Sequence, residues 1–129
     1  MGLLGKLKAG LSSASKHLKT RHFKMTAAEL AEKWKELSSA KGIYISFKER
    51  GNQYELESVS RVIDHGRELI EIWYLEEVYE DEEEEASNPR FESERRRLEP
   101  DKEVWIHMSE AQYEKLMEKF GDFLREFEA

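Results

Sequence analysis

The segment from Arg67 to Tyr79 carries apolar side chains on both faces of a predicted β-strand, and this constrains the fold more than any other part of the sequence. Successive residues of a strand point to opposite faces. One face carries Ile70, Ile72, Tyr74 and Val78, and the other carries Leu69, Trp73, Leu75 and Tyr79. A strand of this kind needs cover on both sides, so it is central in its sheet or has one face covered by a second subunit.

Three further segments show strand signals. The alternating apolar residues of 43–47 and 104–108 predict two short strands, each with one buried face. Residues 53–63 predict a longer strand in which the alternation breaks, and this indicates a β-bulge near residues 57–58. The Asp-His-Gly sequence at 64–66 predicts a tight turn into the central strand.

Two helices flank these strands. Thr26 and Glu29 have the spacing of a capping box at the start of the first helix, and Ser109 and Gln112 have it at the start of the second. The second helix carries a long apolar stripe made of Tyr113, Leu116, Met117, Phe120, Phe123, Leu124 and Phe127. We therefore expect a long C-terminal helix across the sheet, with Phe120 buried at the middle of its stripe.

The charged excursion at about residues 80–101 has two interpretations. It contains an unbroken acidic run at 80–85 and a basic run at 95–97. The two arms could pair as a long hairpin, or the excursion could be a solvated loop. Runs of like charge usually remain solvated, so the sequence favours the loop.

These elements predict a single small α+β domain at residues 25–129. Its antiparallel sheet has about four strands, flanked by an N-terminal helix and a long C-terminal helix. Residues 1–24 are predicted to precede it as a basic amphipathic tail.

The distribution of charge divides the chain in the same way. The net charge is −7, but residues 1–28 hold six basic residues and no acidic one. The other 101 residues hold 15 basic and 28 acidic residues, a formal charge of −13. The chain also has no cysteine and 38% charged residues, a composition typical of thermostable proteins.

The tail is the feature that most favours a specific function. Its leucines recur at helical spacing, so the segment is expected to become helical when its apolar face meets a partner. Leucines inserted at the acyl boundary, beside lysines facing anionic head groups, are typical of an interfacial helix. The predicted membrane-binding residues are Leu3, Leu4, Lys6, Leu7, Lys8, Leu11, Lys16, Leu18 and Lys19.

Catalytic, metal-binding and cofactor motifs are not evident in the sequence. The four histidines lack metal-ligand spacing, and His22 falls in the predicted tail as a solvated residue. The glycines do not form a phosphate-binding fingerprint, and no serine sits in a nucleophile-elbow context. The sequence therefore predicts neither an enzyme nor a metal or cofactor site.

The chain is expected to be cytoplasmic and peripheral on the inner face of the cell membrane. It has no run of about 20 apolar residues, and Gly5, Lys6 and Lys8 interrupt what could have been a secretory signal. The sequence predicts a non-enzymatic membrane-peripheral adaptor or interaction protein. The alternatives are a soluble protein-interaction domain that forms a homodimer or binds a protein partner, and a nucleic-acid accessory protein that uses the basic tail.

Overall fold

A computed structural model of the chain describes residues 19–78 and 90–129. These ranges contain strands β1 (Thr20–Thr26), β2 (Tyr44–Ser46), β3 (Tyr54–Asp64), β4 (Arg67–Val78), β5 (Arg90–Leu98) and β6 (Glu103–Ser109). They also contain helices α1 (Ala27–Leu37) and α2 (Glu110–Phe120) and a short 3₁₀ helix (Arg125–Phe127). No helix within the two ranges is long and apolar enough to span a membrane.

The strands form one antiparallel sheet in the order β1-β6-β2-β3-β4-β5. The predicted α+β class and the antiparallel sheet are confirmed, but the sheet has six strands instead of four. The two strands that the sequence did not predict, β1 and β5, lie at its two edges.

The two faces of the sheet differ in their cover. One face carries a continuous row of buried residues, including Phe23, Ile106, Ile45 and Ile72, and both helices pack against it. We call the opposite side the open face, because neither helix packs on it. The main core cluster therefore lies between the sheet and one layer of helices.

Several local predictions are confirmed. The register of β3 against β4 shifts between Leu56 and Ser58, where the bulge was expected. His65 and Gly66 both have positive φ, as the tight turn between these strands requires. At the start of α1, the Thr26 hydroxyl accepts from the Glu29 amide while the Glu29 carboxylate accepts from the Thr26 amide.

The favoured loop interpretation of 80–101 is wrong for residues 90–98. These residues form β5, which pairs with β4 so that Arg95 lies opposite Trp73 and Arg97 lies opposite Glu71. The Arg97 side chain donates to the Glu71 carboxylate at 3.1 Å, so the basic run pairs with β4 and not with the acidic run as the hairpin alternative had it. The acidic run at 80–85 lies outside the described residues.

The boundary of the tail also moves. Residues 20–24, which the sequence placed in the tail, belong to β1 and pair with β6. Phe23 is fully buried there and stacks on Tyr113 of α2, with ring centroids 5.6 Å apart. The domain therefore includes residues 20–24, and a strand precedes its first helix.

The C-terminal helix is shorter than its apolar stripe suggested. It ends at Phe120 because Gly121 adopts a φ of 80°, a left-handed conformation that glycine adopts at little cost. The chain then turns and buries Leu124 and Phe127 through a separate 3₁₀ helix. Phe120 is 39% exposed, so its predicted place in the core is wrong.

This exposure has a measurable consequence. Replacing Phe120 by alanine should lower the free energy of unfolding by about 1 kcal/mol or less, because little transfer energy is lost at a half-exposed ring. The Leu116→Ala variant, one turn away on the buried side, should lose about 2–5 kcal/mol. Urea denaturation with fitted midpoints measures both. Equal losses for the two variants would contradict the placement of Phe120.

Candidate functional site

The open face is crossed by a row of side chains that the strand register fixes. His22 on β1 lies opposite His107 on β6, and His107 lies opposite Tyr44 on β2. Tyr44 lies opposite Glu55 on β3, which in turn lies opposite Leu75 on β4. Directly opposed residues of antiparallel strands point to the same face, so these five side chains share the open face.

Three neighbouring depressions lie along this row, with volumes of about 510, 360 and 470 Å³. Gln53 lines all three, Tyr44 lines the first two, and His107 lines the last two. We call this set of depressions the trough. Its two ends have different chemistry, and we describe them in turn.

A chain of polar side chains forms the histidine end of the trough. His107 Nδ1 lies 2.8 Å from His22 Nδ1, and His107 Nε2 lies 2.8 Å from Ser46 Oγ. His107 is only 4% exposed, and its burial, together with the neighbouring His22, lowers its pKa to about 4. The ring is therefore neutral at pH 7, with one nitrogen donating and the other accepting.

This constellation does not have the accessibility that a nucleophilic site needs. Ser46 is fully buried beneath the open face, so its hydroxyl cannot reach a substrate carbonyl. His22 is exposed, as expected of a solvated residue, but it lies on β1 beside His107 and not in the tail. Recognising β1 would have revealed the pair, since the alternation of Phe23 and Met25 places His22 on the opposite face.

The acidic end of the trough combines exposed aromatic rings with carboxylates. Tyr44 is 39% exposed and Phe91 is 59% exposed, and Leu75 lies between their strands. Glu55 lies opposite Leu75, and Glu77 lies opposite Phe91. Within residues 19–78 and 90–129, neither Glu55 nor Glu77 makes an ion pair or a side-chain hydrogen bond. This end is therefore apolar and carries unneutralised negative charge.

Two of the six basic residues near the N-terminus are neutralised within the fold. Arg21 pairs with Glu110 and Glu128, and the hydrogen bond to Glu110 raises its pKa above the ordinary value. Lys24 pairs with Glu103 at 2.8 Å, and this hydrogen bond raises the pKa of the lysine. Both residues lie in β1, so neither cation belongs to a free basic tail.

Among the predicted membrane-binding residues, the structure describes only Lys19, which is exposed at the start of β1. Its carbonyl accepts a hydrogen bond from the Glu110 amide at 2.9 Å, which holds the start of β1 beside the start of α2. The remaining predicted residues, Leu3, Leu4, Lys6, Leu7, Lys8, Leu11, Lys16 and Leu18, lie outside the described residues.

The basic run of β5 is engaged with the domain itself. Arg95 and Arg97 both approach Glu71, at 3.6 and 3.1 Å. Arg96 points to the other face, where its guanidinium lies 4.2 Å from the centroid of the Phe47 ring. A phosphate backbone would have to compete with these contacts, which weakens the nucleic-acid alternative.

In the described part of the chain, no group of three or more His, Cys, Asp or Glu side chains converges as metal ligands would. Comparisons of the chain with protein-family models, with curated proteins and with solved structures found no match in any of the three. The chemistry of the trough and the charge pattern of the chain are therefore the basis on which a function can be assigned.

Proposed function

We propose that this chain is a non-enzymatic, membrane-peripheral interaction protein that attaches through its N-terminal segment, residues 1–19. The separation of charge is the observation that carries this proposal. The segment holds four of the 21 basic residues and none of the 28 acidic ones. The rest of the chain holds 17 basic and 28 acidic residues, a formal charge of −11, with Arg21 and Lys24 already paired.

Electrostatic attraction and burial of leucines both contribute to the free energy of membrane binding. Each lysine near an anionic surface contributes about 1 kcal/mol, and this contribution falls as salt screens the surface. A fully buried leucine contributes about 1.5–3 kcal/mol, but shallow insertion and the ordering of the segment leave only part of that. Neither term is sufficient alone, so binding requires both the leucines and the lysines.

The negative charge of the domain helps to define how the protein is oriented on an anionic bilayer. A body with a charge of −11 is repelled by an anionic bilayer, so only the N-terminal segment approaches the head groups. The segment leaves the sheet at Lys19, beside the first residue of α2. The trough then remains on the aqueous side, where a protein partner can reach it.

Vesicle sedimentation of the full chain tests this proposal. We expect binding to vesicles of phosphatidylserine and phosphatidylcholine, weaker binding at high salt, and no binding to phosphatidylcholine alone. Replacing Leu7 and Leu11 together by serine should abolish binding although every charge remains. Ala9→Ser, placed by helical spacing on the polar side, is the matched control and should bind as the wild type does.

The same experiment discriminates between the alternatives. If the serine variant binds vesicles and DNA as well as the wild type does, the leucines are irrelevant and the segment acts only as a polycation. If the wild type ignores anionic vesicles at low salt, the membrane proposal fails. The second candidate is then a soluble protein-interaction domain, favoured by the exposed rings of Tyr44 and Phe91 in the trough.

A further inference from the structure

We infer that the acidic end of the trough is the docking surface for the N-terminal segment of the same chain, and that docking and membrane binding exclude each other. Docking is inferred from the residues that line the trough. Its competition with a bilayer rests on the proposed function. Docking gives the peripheral protein a second state, in which its own N-terminal segment covers the trough and does not bind a membrane.

The chemistry of the two surfaces is complementary. The acidic end offers the rings of Tyr44 and Phe91 and the side chain of Leu75, and Glu55 and Glu77 beside them have no partner in the described ranges. The segment offers an apolar stripe of leucines flanked by lysines, and it has no acidic residue. At 100° per residue, Lys6 and Lys8 lie on opposite sides of this stripe. Leucines can therefore cover the rings while lysines approach the two carboxylates.

The geometry permits this contact within one chain. Strands of a sheet are about 4.8 Å apart, so the four spacings from His22 on β1 to Leu75 on β4 amount to about 19 Å. A helix of the length of residues 3–19 would span about 25 Å. The depression lined by Thr20, Gln112 and Tyr44 lies between the start of β1 and the acidic end, so the segment can reach that end along it.

Tethering favours this occupant over a separate molecule. A partner of the acidic end must be both apolar and basic, and the segment attached to β1 meets both conditions at a high effective concentration. Its leucine stripe cannot contact the trough and a bilayer together. The apparent vesicle affinity is therefore reduced by the fraction of chains in which the segment is undocked.

The lack of cysteine in the natural sequence allows a direct test of docking on the full chain. A nitroxide on Ala9→Cys, placed on the polar side of the segment, should broaden the amide signals of Tyr44, Glu55 and Leu75 at low salt without vesicles. The same label on a chain that also carries Leu7→Ser and Leu11→Ser is the matched control and should leave these signals unchanged. High salt should reduce the broadening in the chain that keeps both leucines.

A charge-reversal pair tests the competition. Glu55→Lys with Glu77→Lys should remove the broadening and tighten vesicle binding several-fold more than a remote pair does. The remote pair, Glu32→Lys with Glu118→Lys on exposed positions of the two helices, changes the net charge by the same amount. Phe91→Ser tests the apolar part at an exposed edge position and should also reduce the broadening, with the other amide signals retained.

The outcomes separate the two proposals. Absence of broadening at the trough overturns the docking. Spin-labelled chains without isotope can also be mixed with isotope-labelled chains without a spin label. Broadening as strong in that mixture as in doubly labelled chains also overturns the docking, since a second copy then occupies the trough. Equal vesicle binding by the two charge-reversal pairs overturns the competition. Broadening without vesicle binding by any variant rejects the membrane function and leaves the docking in place.

Discussion

Replacing Phe23 by alanine should lower the free energy of unfolding by about 3–5 kcal/mol. The ring is fully buried, stacks on Tyr113, and lies opposite Ile106 in the pairing of β1 with β6. Truncation removes the transfer energy of the ring and leaves a cavity between the edge strand and α2. Because domains of this size are stable by about 5–15 kcal/mol, the loss would be a large share of the total.

Another phenylalanine provides a matched comparison for this prediction. Phe91→Ala removes the same atoms from a ring that is 59% exposed on β5, and we expect a loss of about 1 kcal/mol or less. Denaturant unfolding monitored by circular dichroism measures both variants. A loss at Phe23 as small as that at Phe91 would show that β1 is not part of the cooperative core.

Acidification should destabilise the wild type more than a His107→Asn variant between about pH 6.5 and pH 4. The pKa of His107 falls from 6.5 to about 4 on folding, because burial and the neighbouring His22 disfavour the imidazolium. The unfolded chain therefore takes up the proton first as the pH falls. Full stability is present above about pH 6.5, and up to about 3 kcal/mol is lost as the pH approaches 4.

Comparison with the variant is needed because carboxylates titrate in the same window. Asparagine keeps a polar side chain beside Ser46 and His22 but cannot take up the proton, so its unfolding free energy should depend less on pH. Urea denaturation of both proteins at intervals from pH 7 to pH 4 gives the slope of the unfolding free energy against pH for each. Parallel slopes would show that His107 is not held neutral by its surroundings.

Sequence reasoning located the central strands because their burial leaves a strong pattern. The apolar residues on the helix-covered face of β4 and the broken alternation of β3 are direct consequences of packing, and the bulge followed from the second. The cover that the sequence also predicted for the other face of β4 is not supplied by either described helix. The capping box at Thr26 and Glu29 is similarly local, since both hydrogen bonds join residues three positions apart. Features set by neighbouring residues were predicted well.

The edge strands were missed for physical reasons. Nearly every side chain of β5 is exposed, so it has no apolar alternation, and its basic run is explained by contacts with Glu71 on one face and Phe47 on the other. In β1, only Phe23 and Met25 alternate, and they adjoin a segment with a helical pattern. Both segments form strands because they pair with neighbouring strands, although their own sequences show only a weak preference for β-structure.

The candidate site depended on those missed strands. His22 and His107 are 85 positions apart in the sequence, and only the pairing of β1 with β6 brings their rings together. Tyr44, Glu55 and Leu75 lay on predicted strands, but the order of the strands was needed to place them in one row. Residue chemistry alone could not assemble the trough.

The pairing of β1 with β6 also has a kinetic consequence. Thr26 pairs with Glu103, 77 positions later, whereas a turn of two residues joins β3 to β4. Closing the long loop costs chain entropy before any contact repays it, so the hairpin is expected early and the docking of β1 late. Until β6 is in place, Phe23 and Met25 have no partner strand. During that interval these apolar side chains are accessible, and we expect this stretch to be exposed to chaperones and to misassembly.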